Sequence, residues 1–149
     1  MRLNSIKLSG FKEGKQKWNI GIEAPIENNN TDIQSIQNVF SITDCAIATS
    51  GNYRKYFKED GQLYAHTINP KTGTQNRHNL LSATVFSSSC ALSDALATYF
   101  MVVGMDATKS FVDNNKDLGI EIYLIYSEDG QYGSYCSPSL LSSQKTSNS

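Results

Sequence analysis

Apolar and polar positions alternate with period two in the first half of the chain, shift to period 3.6 around residue 90, and return to period two near the end. Lys17-Trp18-Asn19-Ile20-Gly21-Ile22-Glu23 alternates and stops before Pro25 and the cluster Glu27-Asn28-Asn29-Asn30-Thr31-Asp32, which predicts a strand and then a loop. Ile33, Ile36, Val39, Phe40 and Ile42 lead into Cys45-Ala46-Ile47-Ala48-Thr49-Ser50-Gly51, and the two runs read as a strand pair ending in a Ser-Gly-Asn turn. Tyr53 to Phe57 suits a short strand or a helical turn, Glu59-Asp60-Gly61 a turn, and Leu63 to Ile68 a strand. After the β-rich run Leu80 to Phe86, the helical period holds from Cys90 to Val103 and Gly104 ends it. A second helix is expected over 106–114, with Ala107, Phe111 and Val112 inward and Gly119 beyond its end. Ile120, Ile122, Leu124 and Tyr126 alternate with Glu121, Tyr123 and Ile125, and Ser127-Glu128-Asp129-Gly130 folds this strand onto 131–136 as a hairpin. The resulting fold class is α+β: a mostly antiparallel sheet with a buried helix at about 90–103 and a second short helix at about 106–114. Residues 138–149 are Ser-rich, with only Leu140 and Leu141 able to bury anything, and are expected to be a disordered polar tail.

Composition narrows the function classes. The 149 residues suit one domain with a real core. Lys and Arg number 13 against 14 Asp and Glu, with no basic run, which argues against a nucleic-acid partner. The longest apolar stretches, such as Tyr99 to Val103, fall far short of a bilayer span, and Met1-Arg2-Leu3-Asn4-Ser5 has no apolar signal core. Cys45, Cys90 and Cys136 contain no Cys-x-x-Cys pair, so they read as packing residues rather than a zinc site or disulfide framework. No internal repeat is visible.

Candidate chemistry gathers in three places. His66-Thr67-Ile68-Asn69-Pro70-Lys71-Thr72-Gly73 sets an imidazole, an amide, an ammonium and two hydroxyls on one enforced turn. Pro70 pushes Asn69 toward extended backbone and Gly73 permits a positive φ, though such a turn is also an ordinary hairpin signal. Within the apolar helix, Asp94 needs a cap role, a cation or a hydrogen-bond network, because an unpaired buried carboxylate costs several kcal/mol. Thr98 lies four residues on, and two oxygens one turn apart suit a hard cation such as Mg²⁺. The alternative is that Asp94 only favours the helix dipole while Thr98 bonds back to its i−4 carbonyl. Ser50-Gly51-Asn52-Tyr53-Arg54 offers a small-residue turn whose N–H groups can approach an anion, a common composition that carries no Walker spacing. His66 suits a general base, a phosphate ligand or a structural donor, while His78, in the polar run Gln75 to Asn79, reads as surface. No Ser/His/Asp or Cys/His triad stands out.

Ala48-Thr49-Ser50-Gly51-Asn52-Tyr53, the octet His66 to Gly73, and Ser93-Asp94-Ala95-Leu96-Ala97-Thr98, taken in this order, resemble the ApbE family of FAD:protein FMN transferases. The likeness runs from Trp18-Asn19-Ile20-Gly21-Ile22 to Cys136 and includes Ser82-Ala83-Thr84-Val85. It implies a Mg²⁺-dependent phosphoryl transfer: FAD is cleaved at its pyrophosphate, FMN is joined to a threonine of an acceptor flavoprotein, and AMP leaves. It also implies a functional histidine at His66 and metal ligands at Asp94 and Thr98. Ser50, Gly51, Tyr53, Thr67, Ile68, Asn69, Pro70, Thr72 and Gly73 would then line the flavin or phosphate side of the cleft. Asn69 stands where the family carries aspartate, which loses a charge. Family members are longer, and residues 1–137 look like their C-terminal portion, without the part that supplies much of the FAD-binding surface. Impaired activity and association through exposed surface are therefore expected. A non-catalytic flavin or nucleotide-binding fragment and an FAD pyrophosphatase giving FMN and AMP are the alternatives. Family members are usually exported and lipid-anchored, while this chain shows no signal segment.

Overall fold

The computed structural model describes residues 4–23, 36–51, 57–59, 62–64, 78–129 and 131–145. In chain order the strands are β1 (Asn4–Lys7), β2 (Trp18–Glu23), β3 (Ile36–Ile42), β4 (Ala46–Gly51), β5 (Phe57–Glu59), β6 (Gln62–Tyr64), β7 (Leu80–Ser87), β8 (Glu121–Glu128), β9 (Gln131–Cys136) and β10 (Gln144–Lys145). The helices are α1 (Cys90–Val103), α2 (Met105–Asn114) and the single turn α3 (Pro138–Leu141). One sheet has the order β1-β4-β7-β8-β9, a second has the order β10-β3-β2, and β5 pairs with β6. Each of these ladders is antiparallel, so the α+β reading holds, as do the helices expected at 90–103 and 106–114 and the hairpin that ends at Cys136.

The five-stranded sheet is covered on both faces, and this explains its central strands. Ala48, Ala83, Val85, Ile122 and Leu124 meet Leu96, Ala97, Phe100 and Met101 of α1 on one side. On the other, Ile47, Phe86, Tyr123 and Ile125 meet Ile22, Phe40 and Ile42 of the second sheet. Every residue of β7 is buried, and both alternating sets of β8 lie inside, because period two here separates two cores rather than core from solvent. Phe40 joins the layers, with edge-on contacts to Phe86 and Tyr123 at centroid distances of 5.3 Å.

Two expectations are corrected. β3 and β4 are strands but not a pair, since they belong to different sheets. Asp44 adopts φ 48° between them and accepts a 2.8 Å bond from the Gly10 N–H, so Thr43-Asp44-Cys45 carries the chain from one layer to the other. The second correction concerns the tail, which is ordered through residue 145 as α3 and β10. Ser137 anchors it by donating N–H to Ile122 O at 2.9 Å and accepting Ile122 N–H on Oγ at 2.8 Å, and Leu140 then drops into the core between the sheets. Composition suggested disorder because only one apolar side chain is buried there; backbone hydrogen bonds supply the rest. The polar cluster 27–32, the predicted positions Tyr53–Tyr56 and 65–68, and residues 146–149 lie outside the described residues.

Leu140 is 5 % exposed and its neighbour Leu141 52 %, which gives a direct test. Leu140→Ala is expected to destabilise the fold by about 2–5 kcal/mol in chemical denaturation. Leu141→Ala should stay within about 0.5 kcal/mol. A tail that contributes nothing would make the two variants indistinguishable.

Candidate functional site

Helix α1 lies on β4 and β7 across a bed of small side chains. Ala46, Ala48, Ala83, Ser93 and Ala97 are all fully buried, so helix and sheet approach closely. Ser93, whose hydroxyl would otherwise be stranded in this contact, bonds to Ser87 Oγ at 2.8 Å and donates to Ala46 O at 3.3 Å. Its neighbour is Asp94, the first acidic residue of α1 and one full turn inside it; no acid occupies the first turn and Ser89 is the N-cap residue. The dipole-only reading of Asp94 therefore loses its geometry.

Asp94 Oδ1 is buried and has no hydrogen-bond partner among the described residues. Asp94 is half-buried as a residue, and its buried oxygen is destabilised unless a donor or a cation meets it. Thr98 is one turn further along α1. Thr108 shows what a back-bonded threonine looks like in this protein, donating Oγ1–H to Gly104 O at 2.7 Å. No such bond from Thr98 occurs among the described residues, which leaves its hydroxyl available. One hard oxygen anion and one hydroxyl fit a small divalent cation. Among the described residues no cluster of three or more His, Cys, Asp or Glu exists, so a cation meeting this pair would need its remaining ligands from elsewhere.

Ser50 is 2 % exposed and stands two residues beyond Ala48, on the α1 side of β4, with Gly51 ending the strand opposite Ser82. The structure thus brings Ser50, Asp94 and Thr98 to the same side of the five-stranded sheet, with Gly51 at the end of the strand that carries Ser50. Tyr53, His66, Thr67, Ile68, Asn69, Pro70, Thr72 and Gly73 lie outside the described residues.

His78, expected at the surface, is instead half-buried against α1. Leu80 N–H donates to its Nδ1 at 3.2 Å, and Nε2 pairs with Met101 O at 2.8 Å. With Nδ1 occupied as an acceptor, Nε2 carries the proton and donates it to the helix carbonyl. Nothing in the polar run around His78 signals this, because its partner is 23 residues away. Ser93 opens the third motif of the sequence but carries no assigned role there; its fixing of α1 to Ser87 and Ala46 is visible only in the fold.

The cysteines are half-buried and free, consistent with packing residues. Burial pushes the Cys45 thiol above its ordinary value, while burial, and then the nearby Glu121 carboxylate, push Cys136 up to about 11. Neither suits a nucleophile at neutral pH.

The sequence profile of the ApbE family matches residues 4–124, a span that holds β4, β7 and the whole of α1 with Asp94 and Thr98. The chain belongs to the ApbE family. It is 37 % identical over 134 residues to an FAD:protein FMN transferase of Vibrio cholerae serotype O1, covering 90 % of this chain and 38 % of that protein. The corresponding Escherichia coli K12 protein is 35 % identical over 136 residues, covering 91 % and 36 %. Among solved structures, the apo flavinyl transferase ApbE of Pseudomonas stutzeri superposes with a TM-score of 0.74 at 27 % identity, covering 93 % of this chain and 40 % of that one. Flavin transferase ApbE of Vibrio cholerae gives 0.72 at 31 % identity, covering 93 % and 41 %. This ApbE-family chain thus spans roughly two fifths of the length of these relatives.

Two measurements probe the site without turnover. In the absence of divalent cations, Asp94→Asn should stabilise the fold by about 1–2 kcal/mol, since an amide is cheaper than a carboxylate to bury without a partner. Adding Mg²⁺ should raise the unfolding midpoint of the wild-type chain but not of the variant. An Asp94→Asn protein less stable than wild type without cations would show that Asp94 has another partner. For Cys136, the elevated value leaves little thiolate at pH 8 while the unfolded thiol, near its ordinary value, has about a hundredfold more. Iodoacetamide should therefore modify Cys136 at least about tenfold more slowly in the folded chain than in urea, with modification sites read by peptide mass spectrometry.

Proposed function

We propose that this member of the ApbE family acts in Mg²⁺-dependent FAD:protein FMN transfer, moving FMN from FAD to a threonine of an acceptor flavoprotein with release of AMP. The carrying observation is Asp94: an apolar helix holds a buried carboxylate oxygen that nothing described satisfies, one turn from an available hydroxyl. The Vibrio cholerae and Escherichia coli relatives, both named FAD:protein FMN transferase, support the reading.

Asp94 and Thr98 would hold the cation, which when bound neutralises charge gathering on the pyrophosphate oxygens. Ser50 and Gly51, at the end of β4, would wall the phosphate side. The acceptor threonine Oγ forms a new bond to the phosphorus that carries the flavin's ribityl chain, and the bond from that phosphorus to the oxygen shared with AMP breaks. The hydroxyl proton passes to His66, assigned by resemblance, as is the turn from Thr67 to Gly73 that would position the substrate. Asn69, lacking the charge of an aspartate, can accept and donate hydrogen bonds but cannot add a second anion to the metal site. Tyr53 would contribute a ring beside the flavin or phosphate.

Because the chain spans about two fifths of its relatives' length, we infer that the cleft is completed by further polypeptide, and exposed Ile6, Phe11 and Tyr99 support such association. The chain is to be incubated with FAD, Mg²⁺ and a flavoprotein domain bearing an acceptor threonine, and covalent flavin read by in-gel fluorescence. A fluorescent acceptor band with stoichiometric AMP is expected, weaker than that of a full-length relative run beside it, reduced at least about a hundredfold further by Asp94→Ala and lost with EDTA. FMN and AMP without labelled acceptor would identify an FAD pyrophosphatase instead. FAD binding without AMP would identify a non-catalytic binding module.

A further inference from the structure

Asp94 and Thr98 occupy the stretch of α1 between two polar attachments to the sheet. At one end Ser93 is bonded to Ser87 Oγ and Ala46 O, at the ends of β7 and β4 nearest the start of α1. At the other, His78, two residues ahead of β7, reaches the last turn of the helix. Helices leave their final carbonyls unpaired; here Gly104 N–H caps Phe100 O, and His78 Nε2–H takes Met101 O. Gly104 makes room for this. Its φ of 82° ends the helix, and a Cβ there would meet the imidazole carbons of His78 at 3.2 Å. The imidazole is locked in one tautomer by the Leu80 N–H on its other nitrogen, so it is a rigid donor.

We infer that His78 is a positioning residue for the cation pair, fixing the axial register of α1 on β7 and so the placement of Asp94 and Thr98. The inference rests on the reading of those two residues as cation ligands. Leu96, Phe100 and Met101 anchor α1 in the core, but apolar contact is non-directional and the Ala46-Ala48-Ala83 surface beside it is smooth, so a helix held at one polar point keeps some freedom to turn or shift; a second polar point removes it. Met101 is three residues past Thr98, on the next turn, so a shift at Met101 is passed directly to the ligand.

The test uses the 149-residue chain and Mn²⁺ alone as the probe, with binding followed by electron paramagnetic resonance well below the unfolding midpoint, so that only folded protein is read. His78→Ala is expected to weaken Mn²⁺ binding about tenfold, the usual scale for outer-shell partners. His78→Gln, whose amide extends to the Nε2 position, should recover affinity to within about threefold, whereas His78→Asn, which retains only the Leu80-facing acceptor, should not. A purely structural histidine would alter the unfolding midpoint in all three variants and leave the affinity of folded protein unchanged. In parallel, trypsin cleavage after Arg77 reports the attachment itself, and should accelerate in His78→Ala and His78→Asn but not in His78→Gln. Wild-type affinity and wild-type cleavage in His78→Ala, or failure of His78→Gln to rescue either, would overturn the inference. If wild type and Asp94→Ala bind Mn²⁺ equally poorly, the cation reading fails, and with it the positioning role, even where the cleavage rates show the attachment to be real.

Discussion

The close seat of α1 on the five-stranded sheet governs what the rest of the molecule can do. Alanines and serines on both surfaces bring helix and strands together, and only residues that small allow it. The cost of such closeness is that any polar group in the contact loses water, so each must find a protein partner. Ser93 does so through Ser87 and Ala46. The carboxylate of Asp94 is left with an oxygen that no described group meets. Packing and chemistry meet on this helix: Ser93, in the seat itself, is fully satisfied, while its neighbour Asp94 keeps one buried oxygen unpartnered among the described residues.

The second sheet serves the same end from the opposite side. Phe40, wedged against Phe86 and Tyr123, closes the far face of β7 and β8, so the strands beneath α1 are held from both sides. A sheet with one solvated face could flex where it supports the helix; a doubly covered one transmits little motion to the site. The ordered segment 138–145 extends that cover, with β10 adding to β3 and Leu140 filling the space beside Ile125 and Tyr123.

Most elements were legible because their signals are local. The helix at 90–103 and the hairpin ending at Cys136 announce themselves by period and by Gly or Asp-Gly turns within a few residues. Asp94 and Thr98 were legible for a similar reason, since i and i+4 share a helix face whatever the fold. Ser50 and Gly51 stood out only as a small-residue turn, and the place of Ser50 on the α1 side of the sheet came from the β4–β7 ladder. Where reading failed, a distant partner decided: β3 and β4 look like a pair until Asp44 turns the chain into another layer, and His78 looks solvated until Met101 O arrives from 23 residues away.

By itself, then, the sequence determined the periods, the turns, the acid within an apolar helix and the order of motifs that marks the ApbE family, because each depends on neighbours along the chain. Tertiary structure alone decided which strands share a sheet, that the polar segment after Ser137 is ordered, and that His78 caps α1. It also decided that one oxygen of Asp94 is buried without a partner among the described residues. Those outcomes depend on which surfaces meet, and a carboxylate's free energy changes by several kcal/mol with that meeting while its place in the sequence stays the same.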